Sequence, residues 1–157
     1  MNHVRRETRI TTIPERCFDL SRSIDFHKFT MAKFRESPVG GRVKGLIEAG
    51  EFVEWEATHF FIRQRLSSRI IAMKRPYYFV DVMVRGAFKS FIHRHEIRTC
   101  RPGEVILIDD FRYEVPLGIV GRFANFLFLH DYMEKMIGMR CSQLKAVLES
   151  DRWKEFI

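Results

Sequence analysis

Apolar residues recur at steps of three and four along Ile119–Glu149, at Phe123, Phe126, Leu127, Met133, Ile137, Leu144, Val147 and Leu148. That is the spacing of one face of an α-helix. At 1.5 Å per residue the helix would be roughly 45 Å long, and a stripe of that length needs a large curved surface to lie on. The preceding pattern is mostly strand-like. Val4–Ile13 reads as a first strand, an edge or a partner of the last one. Lys44–Ala49, Glu51–Ile62, Gln64–Met73, Tyr77–Val84, Ala87–Arg98 and Glu104–Val115 read as six more. Gly50, Arg63 with its neighbours, Arg75-Pro76, Arg85-Gly86 and Arg101–Gly103 separate them. Between the first two strands, Thr12-Ile13-Pro14-Glu15 has the form of a capping box opening a helix to Leu20. Asp25 is placed to cap a second helix, Phe26–Phe34, before a polar loop Arg35–Arg42 containing Pro38, Gly40 and Gly41.

Short connections make strand neighbours antiparallel. The order strand, two helices, six strands and long helix is an α+β architecture, a curved seven-stranded antiparallel sheet wrapped around the C-terminal helix in one domain, 1–157. Sheets curled in this way leave a cavity under the helix.

Strand parity selects the residues that would face it. Val53, Trp55, Ala57, His59 and Phe61 share one face of their strand, opposite Glu54, Glu56 and Thr58; Val105, Leu107, Asp109, Phe111, Tyr113 and Val115 share another. Phe79, Asp81 and Met83 go together, as do Phe91, His93, His95 and Ile97. A two-residue turn at Arg85-Gly86 would put Asp81 and the histidines on opposite faces, whereas a bulge near Gly86 would unite them. If they converge, the inward polar set is His59, Asp81, His93, His95, Asp109 and Tyr113, with His130 facing them from the helix. Buried carboxylates and imidazoles must pair or change protonation state. Four roles suit such a set: a network fixing sheet curvature, the polar end of a ligand pocket, general acid/base chemistry on a carbonyl compound, or a metal site. The last lacks a third ligand that spacing alone can place beside His93-x-His95.

The excess of 27 Lys and Arg over 20 Asp and Glu, a net +7, brings anionic partners into view. The basic residues are dispersed and no nucleic-acid motif accompanies them, so nucleic acid is not expected. The row Arg63, Arg65 and Arg69 suits a solvated outer face or transient contact with a membrane surface. Cys17, Cys100 and Cys141 are three, distant and without a CxxC pair, which argues against a disulfide framework or zinc knuckle, with Cys100 the one within reach of solvent. No apolar run reaches membrane-spanning length, because Arg122 interrupts the best one. The expected compartment is the cytoplasm, and no cofactor is expected. Monomer and homodimer both stay open; the tail with Trp153, Phe156 and Ile157 could dock on its own domain or on a second copy.

Phe79-Val80-Asp81, Arg85-Gly86-Ala87-Phe88, His93-Arg94-His95, Asp109 and Tyr113-Glu114-Val115-Pro116-Leu117-Gly118, together with Trp55, His59 and Arg63-Gln64-Arg65, resemble a bacterial branch of the START and plant-allergen superfamily, also called SRPBCC. Ala87 and Val105 depart from that branch, where proline and threonine are usual. The resemblance covers nearly the whole chain. It implies the helix-grip fold and a pocket for a small apolar or amphipathic molecule, sometimes with catalysis added; the branch is often labelled polyketide cyclase/dehydrase or cell-division inhibitor. The expected ligand-binding residues are Trp55, His59, Phe61, Phe79, Asp81, Met83, Phe91, His93, His95, Asp109, Phe111, Tyr113, Phe123, Phe126, Leu127 and His130. If the protein is a cyclase-type enzyme, His93, His95, Asp81 and Asp109 are the candidate acids and bases.

Overall fold

Seven strands alternate inward apolar and outward polar side chains, and the computed structural model, which describes residues 1–157, joins them in one antiparallel sheet. The strands are β1 (Asn2–Ile10), β2 (Ser37–Gly41), β3 (Phe52–His59), β4 (Ile62–Lys74), β5 (Tyr78–Arg85), β6 (Ser90–Arg101) and β7 (Glu104–Glu114). Their order is β1-β7-β6-β5-β4-β3-β2, so β2 to β7 form a meander and β1 closes beside β7. Helices α1 (Pro14–Ser21) and α2 (Ile24–Thr30) fill one end. The long helix runs as α3 (Gly118–Ala124), a π-helical turn (Asn125–Leu129) and α4 (His130–Leu148). This is the helix-grip fold, α+β as the residue pattern predicts.

The second strand is not where the pattern put it. Ser37–Gly41 pairs with β3 across a bulge between Pro38 and Gly40. Pro38 is tolerated because β2 is an edge strand. Lys44–Ala49 instead packs on the helical end: Asp25 accepts from the Gly45 amide (2.8 Å) and Arg22 donates to the Ile47 carbonyl (3.2 Å). Asp25 is therefore not a cap; Ser23 caps α2, accepting from the Phe26 amide at 3.2 Å. Thr12 does not cap α1 either, since Ile13 holds the N-cap position and Thr12 Oγ1 is buried without a partner.

Two hairpins set the geometry of the cavity. The β3–β4 turn is Phe60-Phe61, flanked by the pair His59 and Ile62. Both residues have positive φ, 50° and 63°, the requirement of a two-residue turn that normally selects Asn-Gly. A bulky residue in that region costs about 1–3 kcal/mol. The β5–β6 hairpin pairs Asp81 with His93 and Phe79 with His95. Its loop is longer than two residues and is centred on Ala87, so parity survives and the polar residues share the concave face.

The main core joins Phe18, Phe26, Trp55, Leu107 and Leu144 among others, and a smaller cluster contains Val4, Phe91, Phe111, Met133 and Ile137. The tail docks on its own domain: Phe156 meets the Phe26 ring edge-on at 5.4 Å. Of the predicted helix stripe, Met133, Ile137, Leu144, Val147 and Leu148 are buried, whereas Phe123, Phe126 and Leu127 are exposed. Apart from exposed Arg122 and buried Asn125, residues 117–129 are apolar on both sides, and Leu117, Gly121, Ala124 and Phe128 are the ones that border the cavity. Leu144→Ala should therefore lower unfolding free energy by about 2–5 kcal/mol. Phe123→Ala should change it by less than about 0.5 kcal/mol. Urea denaturation of the two variants checks the pair.

Candidate functional site

A cavity of about 450 Å³ lies between the concave sheet and the long helix. Its walls include Trp55 and Ala57 of β3, Ile70 of β4, Phe79 of β5, Phe91 of β6 and Phe111 of β7. Leu129, Tyr132, Met133, Met136 and Ile137 close it from the helix. The mouth lies where the N-terminal part of that helix meets Phe60 and the β5–β6 loop.

At the deeper end the register of β5, β6 and β7 stacks four titratable side chains. His95 lies opposite Phe79 on one neighbour and Asp109 on the other, while His93 lies opposite Asp81 and Phe111. Asp109 is 1% exposed and meets both histidines, His93 Nε2 at 3.1 Å and His95 Nδ1 at 2.8 Å. The His93 contact is a hydrogen bond, with Nε2–H donating. His95 Nδ1 lies off the axis a hydrogen bond needs, so its contact is Coulombic. His95 Nε2 is 3.5 Å from Asp81 Oδ1, and the two imidazoles lie 3.8 Å apart between ring centres. From α4, Arg140 Nη1 stands 3.6 Å from Asp109, and the Cys141 thiol donates to its other oxygen at 3.1 Å. Arg140 also donates to the Ser21 carbonyl at 2.9 Å.

These contacts fix the charges. Burial pushes the Asp109 carboxyl upward, but the attraction of His95 and the hydrogen bond from His93 outweigh it and hold the group well below the carboxylate range. Asp81 is lowered by the same balance, with burial opposed chiefly by His95. Burial would strip the proton from His95, yet Asp109 and Asp81 prevail and raise it above 6.5. His93 is lowered, first by burial and then by repulsion from His95. His95 thus keeps its proton to higher pH than His93, and between their two values the cluster holds two carboxylates, two cations (His95 and Arg140) and one neutral imidazole. With Nε2–H turned to Asp109, His93 keeps Nδ1 as an acceptor.

Asp81, His93 and His95 each offer a donor atom within 4.8 Å of the others, so the hairpin supplies the third ligand that sequence spacing could not place. The donor set suits a first-row divalent ion.

Nearer the mouth, His59 Nδ1 is 2.7 Å from the Tyr132 hydroxyl, and burial lowers its affinity for a proton. His27 contacts Glu36 at 2.6 Å and packs on Trp55 at 4.3 Å between ring centres.

Of the residues expected from sequence, Trp55, His59, Phe79, Asp81, Phe91, His93, His95 and Phe111 line the cavity. His59 stands apart from the Asp81–Asp109 cluster. Asp109 lies behind the histidines rather than at the surface of the cavity. Tyr113 is fully buried; its hydroxyl donates to Asn125 at 2.6 Å and lies 3.4 Å from His130 Nδ1. Met83 packs in the smaller core cluster, and His130 is half-exposed beside Glu134. Phe61, Phe123, Phe126 and Leu127 face solvent: the turn throws Phe61 outward, and the other three lie on the outer side of the helix. Sequence reasoning passed over Arg140, although it stands among Met133, Ile137 and Leu144 on the buried stripe, where a charge needs a partner. It also passed over Tyr132, Phe60 and the His27–Glu36 pair, and it read Met136, with the other methionines, more as core filler than as a lining residue.

No protein-family model matches the sequence, and no curated protein matches it. Among solved structures the chain is similar to TTHA0849 from Thermus thermophilus, with 15% identity, 98% of each chain covered and a TM-score of 0.75. It is similar to ginseng major latex-like protein 151 from Panax ginseng, with 14% identity, coverage of 94% and 97%, and a TM-score of 0.64. Ara h 8.0201 superposes with 7% identity, coverage of 91% and 97%, and a TM-score of 0.64. At such identities the likeness is one of fold.

His95 contributes stability fully below its unfolded value of about 6.5, and that contribution is lost as pH rises through its higher folded value. Asp109 acts in the opposite sense: its contribution is present above the unfolded value of about 3.9 and is lost as pH falls through its depressed folded value. His93 and His59, both lowered, act against His95 in the same window, so the His95 contribution is read as a difference: from pH 6 to pH 8 the urea midpoint of the wild type should fall relative to that of His95→Gln. Near pH 6.5, the ordinary imidazole value, nitrogen-15 spectra assigned with His93→Gln and His95→Gln should show His95 mainly as imidazolium and His93 mainly as a neutral Nε2–H tautomer. Two neutral rings would disprove the assignment.

Proposed function

We propose that the protein is a cytoplasmic binding module, a carrier or sensor, that encloses one small apolar or amphipathic molecule between the long helix and the sheet. The observation that carries this reading is the uneven lining of the cavity. Largely apolar walls surround about 450 Å³, within the range of small-molecule sites, and the buried groups Asp81, His93, His95 and Arg140 gather at one end, apart from His59 and the His27–Glu36 pair nearer the mouth. The apolar body of the ligand would lie against Trp55, Phe91, Leu129 and Met136. Its hydroxyl or carbonyl head would meet Asp81, His93 and Arg140. Methionines allow a cavity to accept varied shapes.

Native mass spectrometry of the protein from its own host should reveal one retained apolar compound. Ala57, 5% exposed on the cavity wall, offers a way to fill the space. Ala57→Phe should lower occupancy by at least about tenfold, the effect of losing roughly one side chain's worth of apolar contact. Unchanged occupancy in a folded Ala57→Phe protein would place the ligand elsewhere.

A second reading, a cyclase, dehydratase or isomerase, is favoured by one observation. A neutral imidazole oriented by a carboxylate stands next to an imidazolium, which is a base and an acid within reach of one bound carbonyl compound. His93→Gln would then cut turnover about 100-fold or more while leaving ligand affinity nearly unchanged. Equal loss of affinity and rate would leave His93 a binding group only.

A further inference from the structure

We propose that the mouth of the cavity docks on an anionic lipid bilayer, with the Phe60-Phe61 turn and the outer side of α3 and the π-helical turn entering the interface. Phe61, Ile62, Ile119, Val120, Phe123 and Phe126 are each more than 60% exposed. They come from two segments that meet in space: Phe60 packs edge-on against Phe128 at 5.6 Å. The exposed side chains therefore lie on two touching segments beside the opening, whose exposed lining residues are Phe60, Leu117 and Phe128. A patch of that kind marks an interaction site.

The turn itself favours the same surface. Phe60 and Phe61 both hold positive φ, where Asn-Gly would be relaxed and polar. Phe61 is fully exposed, so within the folded chain it repays neither its backbone strain nor its contact with water. Insertion into an apolar medium would offset both.

Charge selects the occupant. The segments that frame the mouth, 60–63, 85–89 and 115–129, contain Arg63, Arg85, Lys89 and Arg122 and no acidic residue. Arg63 is paired with Glu56 and Lys89 with Glu114; Arg85 and Arg122 form no ion pair. Acidic residues on the helix begin at Asp131, beyond the apolar stretch. Exposed apolar side chains with two unpaired cations, Arg85 and Arg122, on the framing segments suit a membrane interface with negative headgroups. A second copy of this chain would bring the same cations face to face. No helix is long and apolar enough to cross a membrane, so the contact is interfacial.

The proposal goes beyond the cavity reading and is tested apart from it. The full chain is sedimented with vesicles of phosphatidylcholine alone and of equal parts phosphatidylcholine and phosphatidylglycerol. It should pellet with the mixed vesicles and bind less on the neutral ones and at high salt. Phe61→Gly should weaken pelleting roughly tenfold, from the lost apolar contact, while the melting temperature stays the same or rises as the strained φ is relieved. Phe126→Ser should weaken binding similarly. Arg85→Gln with Arg122→Gln should abolish the preference for phosphatidylglycerol. Ala57→Phe should pellet like the wild type even where it no longer retains a small molecule. Absence of pelleting with either vesicle overturns the proposal, as does pelleting that survives Phe61→Gly and Phe126→Ser. A dimer in light scattering that both substitutions dissociate also overturns it, because a second copy would then cover the patch.

Discussion

Asp109 is the point at which sheet and helix are tied. A carboxylate with 1% exposure loses its water, at a cost of several kcal/mol even after relaxation. Only partners held in place can offset that loss. They come from two layers: His93 and His95 from the adjacent strand, Arg140 and Cys141 from α4. Satisfying one buried anion therefore fixes the register of β6 on β7 and the height of α4 over both. Removing a cationic partner, His95 or Arg140, would break a buried ion pair, a defect worth about 3–5 kcal/mol. The cavity is a consequence of the same arrangement. With α4 pinned at Arg140, the rest of the helix spans the curved sheet, and its N-terminal part stands over open space.

Much of this was legible in the residues. Alternation along β3 and β7 placed Trp55 and Asp109 on the concave face, and strand and helix order was enough for the architecture. The misplacements have physical causes. Ser37–Gly41 looks like a loop because Pro and Gly are poor strand formers, yet an edge strand needs hydrogen bonds on one side only. The Phe60-Phe61 turn gave no sign because nothing in two phenylalanines marks positive φ; the expected break fell near Arg63 instead. Asp25 and Thr12 look like caps by spacing, but capping depends on where the backbone leaves the helix, and Ser23 holds that position for α2.

The helix shows the limit of periodicity most clearly. In α4 one side is polar, so the pattern identifies the buried stripe. From Leu117 to Leu129, apart from Arg122 and Asn125, both sides are apolar, and Phe123, Phe126 and Leu127 fit the helical spacing as well as Gly121, Ala124 and Phe128 do. The π-helical turn adds a residue between the two halves, so extrapolating the α4 stripe backward selects the wrong side. Arg140 is the converse case. It sits on a stripe whose burial was evident, and a charged residue there implies a buried partner.

The two ends of the cavity differ in a way that matters for an amphipathic occupant. The buried cluster of cations and carboxylates lies toward Arg140; the mouth, between Phe60 and Phe128, has an apolar rim, with His59 and Tyr132 the polar groups just inside it. In a bilayer an amphiphile holds its head toward water and its tail in the hydrocarbon. A protein seated with the mouth against the interface would have its charged cluster farthest from the membrane. The head could then move toward Asp81, His93 and Arg140 while the tail slid past Leu129 and Met136, with no inversion and little apolar surface passing through water. Reversing the polarity of the cavity would force the tail to cross the headgroup layer first. The placement of the cluster at the deep end thus fits uptake from an interface better than capture from bulk solution.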